Sequence, residues 1–475
     1  MQQKKSWTDK FANDPKKKIA YGFFLWAFIS FAYLLFVTNW GFSVGLAGGG
    51  VHNGVKDAGV LGYFNIEKNA SFDLVNSAVN WGITIGRGIG SVAVALLLVK
   101  FAHKNTTIIA LALTLLGIPA QFMPANAYGY VLFLILRTLM AIGGTMLIIL
   151  TQPIAANFFT KKEKSIASQF GIWFYPLGTI LSIVPFVFVG NVESVRANWQ
   201  IIFTVLAVLN VIPLLIMVFF GSKFDVKTKE EKQQNKGPSG WSILRSYLKK
   251  KSTWAWVLLY GGWLCAVVFP TIYSVPFFAD IAEIGRDVYQ KQIRIWSLLF
   301  LAAVFVGPIS IGLWSRFNLK RKWYIATVIS LGIFFYILSM VTFITGVAKG
   351  SVVALVFFYI FGFLTGMSLW GIQGVMLNTP HEYKDNDPKK IGWMFSLIWG
   401  LGYLFFTLVT IIISLISLVG KAGGVGTHHT YAAIGFSLIV IFSALALVGV
   451  LMLKEPSADA KTFPKWMSKL FKSKK

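Results

Sequence analysis

Arginine inside an apolar run is the residue in this chain most able to do chemistry. The stretch VNWGITIGRGIGSVAVALL, which begins at Val79, is long and apolar enough to cross a bilayer, yet it carries Arg87 near its middle. A charged side chain at the centre of a span costs about 2.5–3.5 kcal/mol on insertion scales, so it must face water, a partner or a solute. At 100° per residue, Asn76, Asn80, Thr84, Arg87 and Ser91 fall within one stripe about 80° wide. Gly82, Gly86, Gly88 and Gly90 leave room on the same helix for a second backbone. A second arginine, Arg137, shares a helix face with Ala141, Gly144, Thr145 and Gln152. At the rise of an α-helix, Arg87 lies roughly 21 Å and Arg137 roughly 14 Å from the start of its span.

All 18 acidic residues fall in tails, loops or span ends; Asp73 and Asp280 come closest to the apolar interior. Two cations at depth with no acid in the spans attract an anion and repel a cation. The expected ligand is therefore a carboxylate, phosphate ester or small inorganic anion, held by Arg87, Arg137, Asn80 and Thr84. A brace onto backbone carbonyls is the competing reading for Arg137, and snorkelling to water is the reading for Arg294. The missing acids also bear on coupling. A proton relay needs buried Asp, Glu or His, so antiport, facilitated diffusion and co-transport carried by the solute itself are the expected modes.

Other chemistry finds no residues. Cys265 is the single cysteine, which excludes an intrachain disulfide and a cysteine metal site. His52, His103, His381, His428 and His429 all fall in predicted loops, and His428-His429 reads as a solvated pair, so no metal site is expected. GRGIGS lacks nucleotide-loop spacing and lies inside a span, so no cofactor is expected. No carboxylate, His or Ser/Lys constellation supports an enzyme. The net charge of +26 follows from 36 Lys and 8 Arg placed in tails and alternate loops, which points to membrane topology and not to nucleic acid.

The elements that must position these groups are membrane helices. Of 475 residues, 56% are hydrophobic and 13% charged, about half the charge of a soluble chain. Twelve spans are predicted at about 19–44, 73–99, 106–123, 128–156, 166–189, 199–220, 253–279, 291–314, 323–346, 351–377, 391–419 and 430–453. With both termini cytoplasmic, inner loops and tails hold 34 Lys and Arg against 7 in outer loops. The predicted organisation is a basic tail (1–18), a six-helix bundle (19–220), a cytoplasmic linker (221–252), a second bundle (253–453) and a basic tail (454–475). The linker holds WSILRSYLKKK, readable as a surface helix or as a plain basic loop. The outer loop LAGGGVHNGVKDAG, from Leu46, is rich in turn residues and reads as flexible.

The halves repeat. Lys100-Phe-Ala-His-Lys-Asn105 and Arg316-Phe-Asn-Leu-Lys-Arg321 recur at an offset of 216 residues, and GTMLIILTQPIAANFF (from Gly144) corresponds loosely to GMSLWGIQGVMLNTPHEY (from Gly366). This layout resembles the major facilitator superfamily over the whole chain. GLWSRFNLKRK, from Gly312, resembles that family's basic loop motif; LRTLMAIGG, from Leu136, resembles its span-four motif; NFFTKKEKSIAS, from Asn157, is similar to its passage into span five. The resemblance implies an all-α membrane protein of twelve transmembrane helices, arranged as two six-helix bundles around a central cavity. It implies gating loops carrying Lys100, Lys104, Arg316 and Lys320. The family's loop aspartate is missing in both halves, where Val99-Lys100 and Ser315-Arg316 stand, so any latch must use other partners. Family members for sugar phosphates carry arginines in spans one and seven, which this chain lacks. Nitrate-type members use spans two and eight, and Arg87 matches the first of these.

By the same resemblance Tyr33, Gln169, Trp173, Tyr260, Trp263, Gln373, Trp399 and Tyr403 are cavity candidates, with packing as the competing reading for each ring. The expected protein is a monomeric plasma-membrane transporter of a small, anionic solute working by alternating access. The alternative is an exporter of amphipathic or lipid-like compounds, suggested by the aromatic spans.

Overall fold

The computed structural model describes residues 14–69, 71–189, 191–221, 240–285, 288–314, 319–383, 388–422, 428–456 and 460–461. Its chain divides into two compact units, Met1–Ser246 and Tyr247–Lys475. Each holds six long helices. In the first unit these are α1 (Pro15–Leu46), α2 (Phe72–Leu98), α3 (Lys100–Ala120), α4 (Ala127–Phe158), α5 (Lys161–Phe188) and α6 (Trp199–Phe220). In the second they are α7 (Lys251–Ile272), α8 (Gln290–Gly312), α9 (Arg321–Thr345), α10 (Val352–Asn378), α11 (Pro388–Ala422) and α12 (His428–Met452). Eleven have the length and hydropathy to cross a membrane. In α5 the apolar stretch Trp173–Phe188 is shorter, and the helix opens on Lys161, Lys162, Glu163 and Lys164. The chain is thus a twelve-helix, multi-pass membrane protein.

Local chemistry sets the helix starts. Asp14 accepts the N–H groups of Lys16 (3.1 Å) and Lys17 (3.3 Å) ahead of Pro15, which fits the first helical position. The Lys17 amide holds the Asp14 carboxyl below its ordinary range. Glu163 folds back on the Thr160 N–H (3.1 Å) and hydroxyl to close a capping box at α5. Asn126 caps α4 through the Gly129 N–H at 2.8 Å.

Two sequence expectations are corrected here. The predicted loop 100–105 shrinks to a kink in the first turn of α3, at the one non-helical residue Ala102 (φ 61, ψ 172), so α2 and α3 run on almost end to end. His103 therefore leaves the loop: it is fully buried, and its Nε2–H donates to the Leu150 carbonyl of α4 at 2.9 Å. The outer loop after Leu46 is likewise folded. Val51–His52 and Val55–Lys56 pair antiparallel across Asn53-Gly54, whose φ values of 49° and 79° suit a two-residue hairpin turn. A short helix, Val60–Tyr63, then lowers Phe64 into a buried aromatic floor with Phe42, Phe72, Tyr130, Phe133, Trp199 and Phe203. Burying those rings offsets the entropy of ordering a glycine-rich segment.

Close packing places the arginine-bearing helix. Gly82, Gly86 and Gly90 recur every four residues on α2 against α4; a Cβ at Gly86 would lie 2.5 Å from the Thr138 carbonyl oxygen, and one at Gly90 2.5 Å from that of Ile142. Gly86→Leu is therefore expected to force the helices apart at a cost of about 1–3 kcal/mol or more. A folded yield and melting temperature unchanged from wild type would refute this; fluorescence-detected size exclusion measures both.

Candidate functional site

Arg87 sits in a box of rings. It is 1% exposed, and its Nη2 donates to the Tyr33 hydroxyl at 3.0 Å. Its guanidinium carbon lies 4.9 Å from the centroid of Trp40, 5.6 Å from Phe36, and 5.8 Å from both Tyr33 and Tyr175. Three of these rings share α1 at spacings of three and four residues, one helix face, and the fourth comes from α5. Ring faces attract a cation electrostatically, which lessens the cost of its burial. The α2 stripe continues above and below. Asn80, 5% exposed, accepts the Trp40 indole N–H at 3.2 Å; Thr84 donates to the Trp81 carbonyl at 3.2 Å; Ser91 donates to the Arg87 carbonyl at 2.8 Å. The sequence suggests a water-lined stripe. In the structure Asn80, Thr84, Arg87 and Ser91 are buried, because α1 turns its aromatic face toward them. Trp173 is half-buried on α5, two residues before Tyr175.

Arg137 is a different kind of arginine. Its Nη1 donates to Asn39 Oδ1 at 2.9 Å, and its Nη2 to the Asn39 carbonyl at 3.3 Å and Ser43 Oγ at 2.5 Å. Its guanidinium carbon lies 4.3 Å from the Phe203 ring and 5.3 Å from Phe133, the underside of the aromatic floor. Asn39 in turn donates to the Phe203 carbonyl at 3.4 Å. Arg137 thus ties α4 to α1 and α6, which is the brace reading. Asn39, Ser43, Trp40 and Tyr175 were not singled out by the sequence. The signal was there for three of them: Asn39 and Ser43 stand four apart in an apolar helix, and Trp40 lies seven residues beyond Tyr33.

The second unit carries aromatics in place of charge. Tyr260 and Trp399 stack with centroids 5.9 Å apart and planes 3° from parallel, Tyr403 meets Tyr260 at 6.4 Å, and Trp263 meets Trp370 edge-on at 5.7 Å. Trp263 donates to the Leu369 carbonyl at 2.7 Å, a structural bond. By contrast the Trp399 indole nitrogen and Gln373 Oε1 are buried atoms without a hydrogen-bond partner among the described residues. Gln373 opens the short helix Gln373–Asn378 that completes α10. Arg294 lies half-buried in the second turn of α8.

At the end carrying the basic loops, Lys104 donates from Nζ to the Val218 carbonyl at 2.6 Å, and Tyr21 donates from its hydroxyl to the Phe220 carbonyl. Both satisfy terminal carbonyls of α6. Lys100 is exposed, its ammonium 5.1 Å from the Phe101 ring. Arg316 lies outside the described residues. Lys320 precedes α9, and its N–H donates to the Lys461 carbonyl at 2.8 Å.

In the second unit, Glu455 and Glu382 stand at the start of α9. Glu455 accepts the Arg321 and Lys322 N–H groups at 2.8 and 3.1 Å, the open N-terminus of α9. Glu382 accepts Arg321 Nε through both oxygens at 3.1 and 2.8 Å. Tyr383 donates to the Lys454 carbonyl at 2.7 Å; burial first, then the neighbouring Glu455 and Glu382, pushes its phenol up to about 12, so it stays a donor at neutral pH. Neither acid was legible as a partner, since both lie more than 60 residues from Arg321 along the chain. Glu455→Ala should free the end of α9 at a cost of about 1 kcal/mol. The readout is tryptic cleavage after Arg321 or Lys322, expected to run several-fold faster in the variant; an unchanged rate would refute the cap.

Among the described residues no three His, Cys, Asp or Glu side chains converge as a metal site. His429, read as half of a solvated pair, instead donates through Nδ1 to the Ile281 carbonyl at 2.5 Å; the side chain of His428 lies outside the described residues.

Twelve apolar helices in two units, with buried arginine and indole groups, define a polytopic membrane protein of the major facilitator fold. The chain belongs to the family of Mycoplasma MFS transporters, whose model matches residues 133–418. It is 43% identical over 466 residues to an uncharacterized protein of Mesomycoplasma hyopneumoniae strain J, covering 94% of each chain. It is 24% identical over 488 residues to a major facilitator superfamily transporter of Mycoplasma pneumoniae, covering 82% of this chain and 84% of that one. Among solved structures it superposes on a D-xylose–proton symporter with a TM-score of 0.64 at 14% identity, over 93% of this chain and 100% of that one. It superposes on a nucleoside transporter with a TM-score of 0.59 at 13% identity, over 90% and 100%. Those identities carry the fold alone. The protein is a transporter and not an enzyme.

Proposed function

We propose that this transporter moves a small anionic solute across the plasma membrane by alternating access, with Arg87 as the group that meets the charge. Both termini are cytoplasmic in this reading, as the placement of basic residues requires, and the halves 19–220 and 253–453 are the moving bodies. The observation that carries it is the aromatic box. Four rings hold the guanidinium dry and oriented, and in a low-dielectric setting its attraction for an anion is far stronger than in water. Arg137 spends three bonds on bracing α1, whereas Arg87, ringed by aromatic faces on the polar stripe of α2, is the arginine assigned to solute. Asn80 and Thr84 flank it on α2, and Tyr33 and Trp173 complete the proposed set in the first unit; Gln373 and Trp399 are the second unit's own candidates. The absence of acids within the spans favours exchange or facilitated diffusion over a carboxylate proton relay.

A second reading has its own support. The Tyr260–Trp399 stack, with the Trp399 indole nitrogen buried and unpartnered among the described residues, suits a neutral ring-shaped solute, and the fold neighbours are named as xylose and nucleoside transporters. Counterflow in proteoliposomes separates the two. The panel is inorganic phosphate, a phosphate monoester and a monocarboxylate against a pentose and a nucleoside. Anion exchange that drops in Arg87→Ala supports the first reading. Exchange of the neutral solutes alone replaces it with the second.

A further inference from the structure

Four cations crowd the joint where the linker enters the second unit. Arg245 lies on the helix Gly240–Leu248, Lys249 and Lys250 form the turn after it, and Lys251 opens α7; all four are exposed. The helix turns Leu244 and Tyr247, 2% and 8% exposed, toward protein, which leaves its basic side outward. Lys250 is extended (φ −87, ψ 126), and its ammonium stands 4.6 Å from the Tyr247 ring. One turn into α7, the half-exposed Trp254 donates its indole N–H to the Leu248 carbonyl at 2.8 Å, which caps the helix and pins the indole at the joint. No acidic residue occurs between Glu231 and Asp280, so nothing in that stretch of sequence neutralises the cluster.

We infer that this joint is a binding site for the headgroup of an anionic phospholipid. It stands where a surface helix bends into a span, at the depth of the headgroup layer. Tryptophan settles at that depth, with its ring toward the acyl chains and its N–H toward polar groups. Arginine offers a planar fork to a phosphodiester, and lysines add mobile point charges; clusters of this kind beside a span recognise anionic lipid. A zwitterionic headgroup carries its own cation, which the cluster repels. Exposed Leu248 and Trp254 give the glycerol end an apolar footing. The site is independent of the transported solute.

The test uses the full-length protein in detergent, titrated with dioctanoyl phosphatidylglycerol or dioctanoyl phosphatidylcholine and followed by native mass spectrometry. Wild type is expected to retain one tightly held phosphatidylglycerol and no phosphatidylcholine. Lys249→Gln/Lys250→Gln/Lys251→Gln is expected to bind phosphatidylglycerol at least about 10-fold more weakly. The charge-matched Lys16→Gln/Lys17→Gln/Lys18→Gln protein, altered at the start of α1, is expected to bind as wild type. Equal losses in the two triple variants would assign the effect to net charge and overturn the site, as would undiminished binding in the first triple or equal retention of phosphatidylcholine. Arg245→Gln alone, expected to weaken binding several-fold, keeps the test decisive if the triple fails to fold.

Discussion

Arg87→Ala is expected to yield a folded, soluble-in-detergent protein that transports its anion at about a tenth of the wild-type rate or less. A hydrogen bond to a charged group is worth about 1.5–3 kcal/mol, a factor of roughly 10 to 150 in binding. Folding should survive, because removing a buried charge also removes its desolvation cost, and the rings of Tyr33, Phe36, Trp40 and Tyr175 can close on the space. Arg87→Lys keeps the charge but not the planar fork, so partial recovery is expected. Counterflow rate and melting temperature, measured on one preparation, give the answer. Wild-type anion exchange in Arg87→Ala would dismiss Arg87 as the solute group. A protein that melts far below wild type would place it with the braces.

The opposite pattern is expected of Arg137→Ala. Its three bonds reach Asn39 and Ser43 from another helix, and truncation takes the donor from buried Asn39 Oδ1, while the Asn39 carbonyl keeps the Ser43 hydroxyl. Interhelical bonds in membrane proteins average about 0.6 and reach about 1.7 kcal/mol each, so the loss amounts to roughly 2–5 kcal/mol. That corresponds to a fall in melting temperature of about 10 °C. Asn39→Ala should cost nearly as much alone, and the double variant little more than either single, since both remove one shared network. Additive losses would show that the two side chains act separately. The contrast between the arginines is the useful result: one is expected to cost transport, the other stability.

Much of this molecule is legible in its amino-acid sequence. Apolar runs, the placement of lysines and the repeated basic loops located all twelve helices, because a bilayer imposes length and hydropathy on each segment separately. Arg87 was visible for the same reason: a charge within such a run is conspicuous against its neighbours. What stood around it was not visible. Asn39 and Ser43 are ordinary residues of α1 until α4 brings Arg137 against them, 98 and 94 residues away in the chain. The outer loop looked flexible because glycine and asparagine signal turns; the buried rings of Phe64, Phe133 and Trp199, brought from three separate segments, are what order it.

The amino-acid sequence by itself determined the helix count, the charge asymmetry and the two positions at which a cation must be buried, since these depend on composition and on the period of a single helix. Only the tertiary structure decided that Arg137 braces three helices while Arg87 is boxed by aromatic rings, and that Glu455 and Glu382 serve the start of α9. The physical reason is that the state of a buried charge depends on which acceptors and ring faces lie within a few ångströms, and those come from distant parts of the chain.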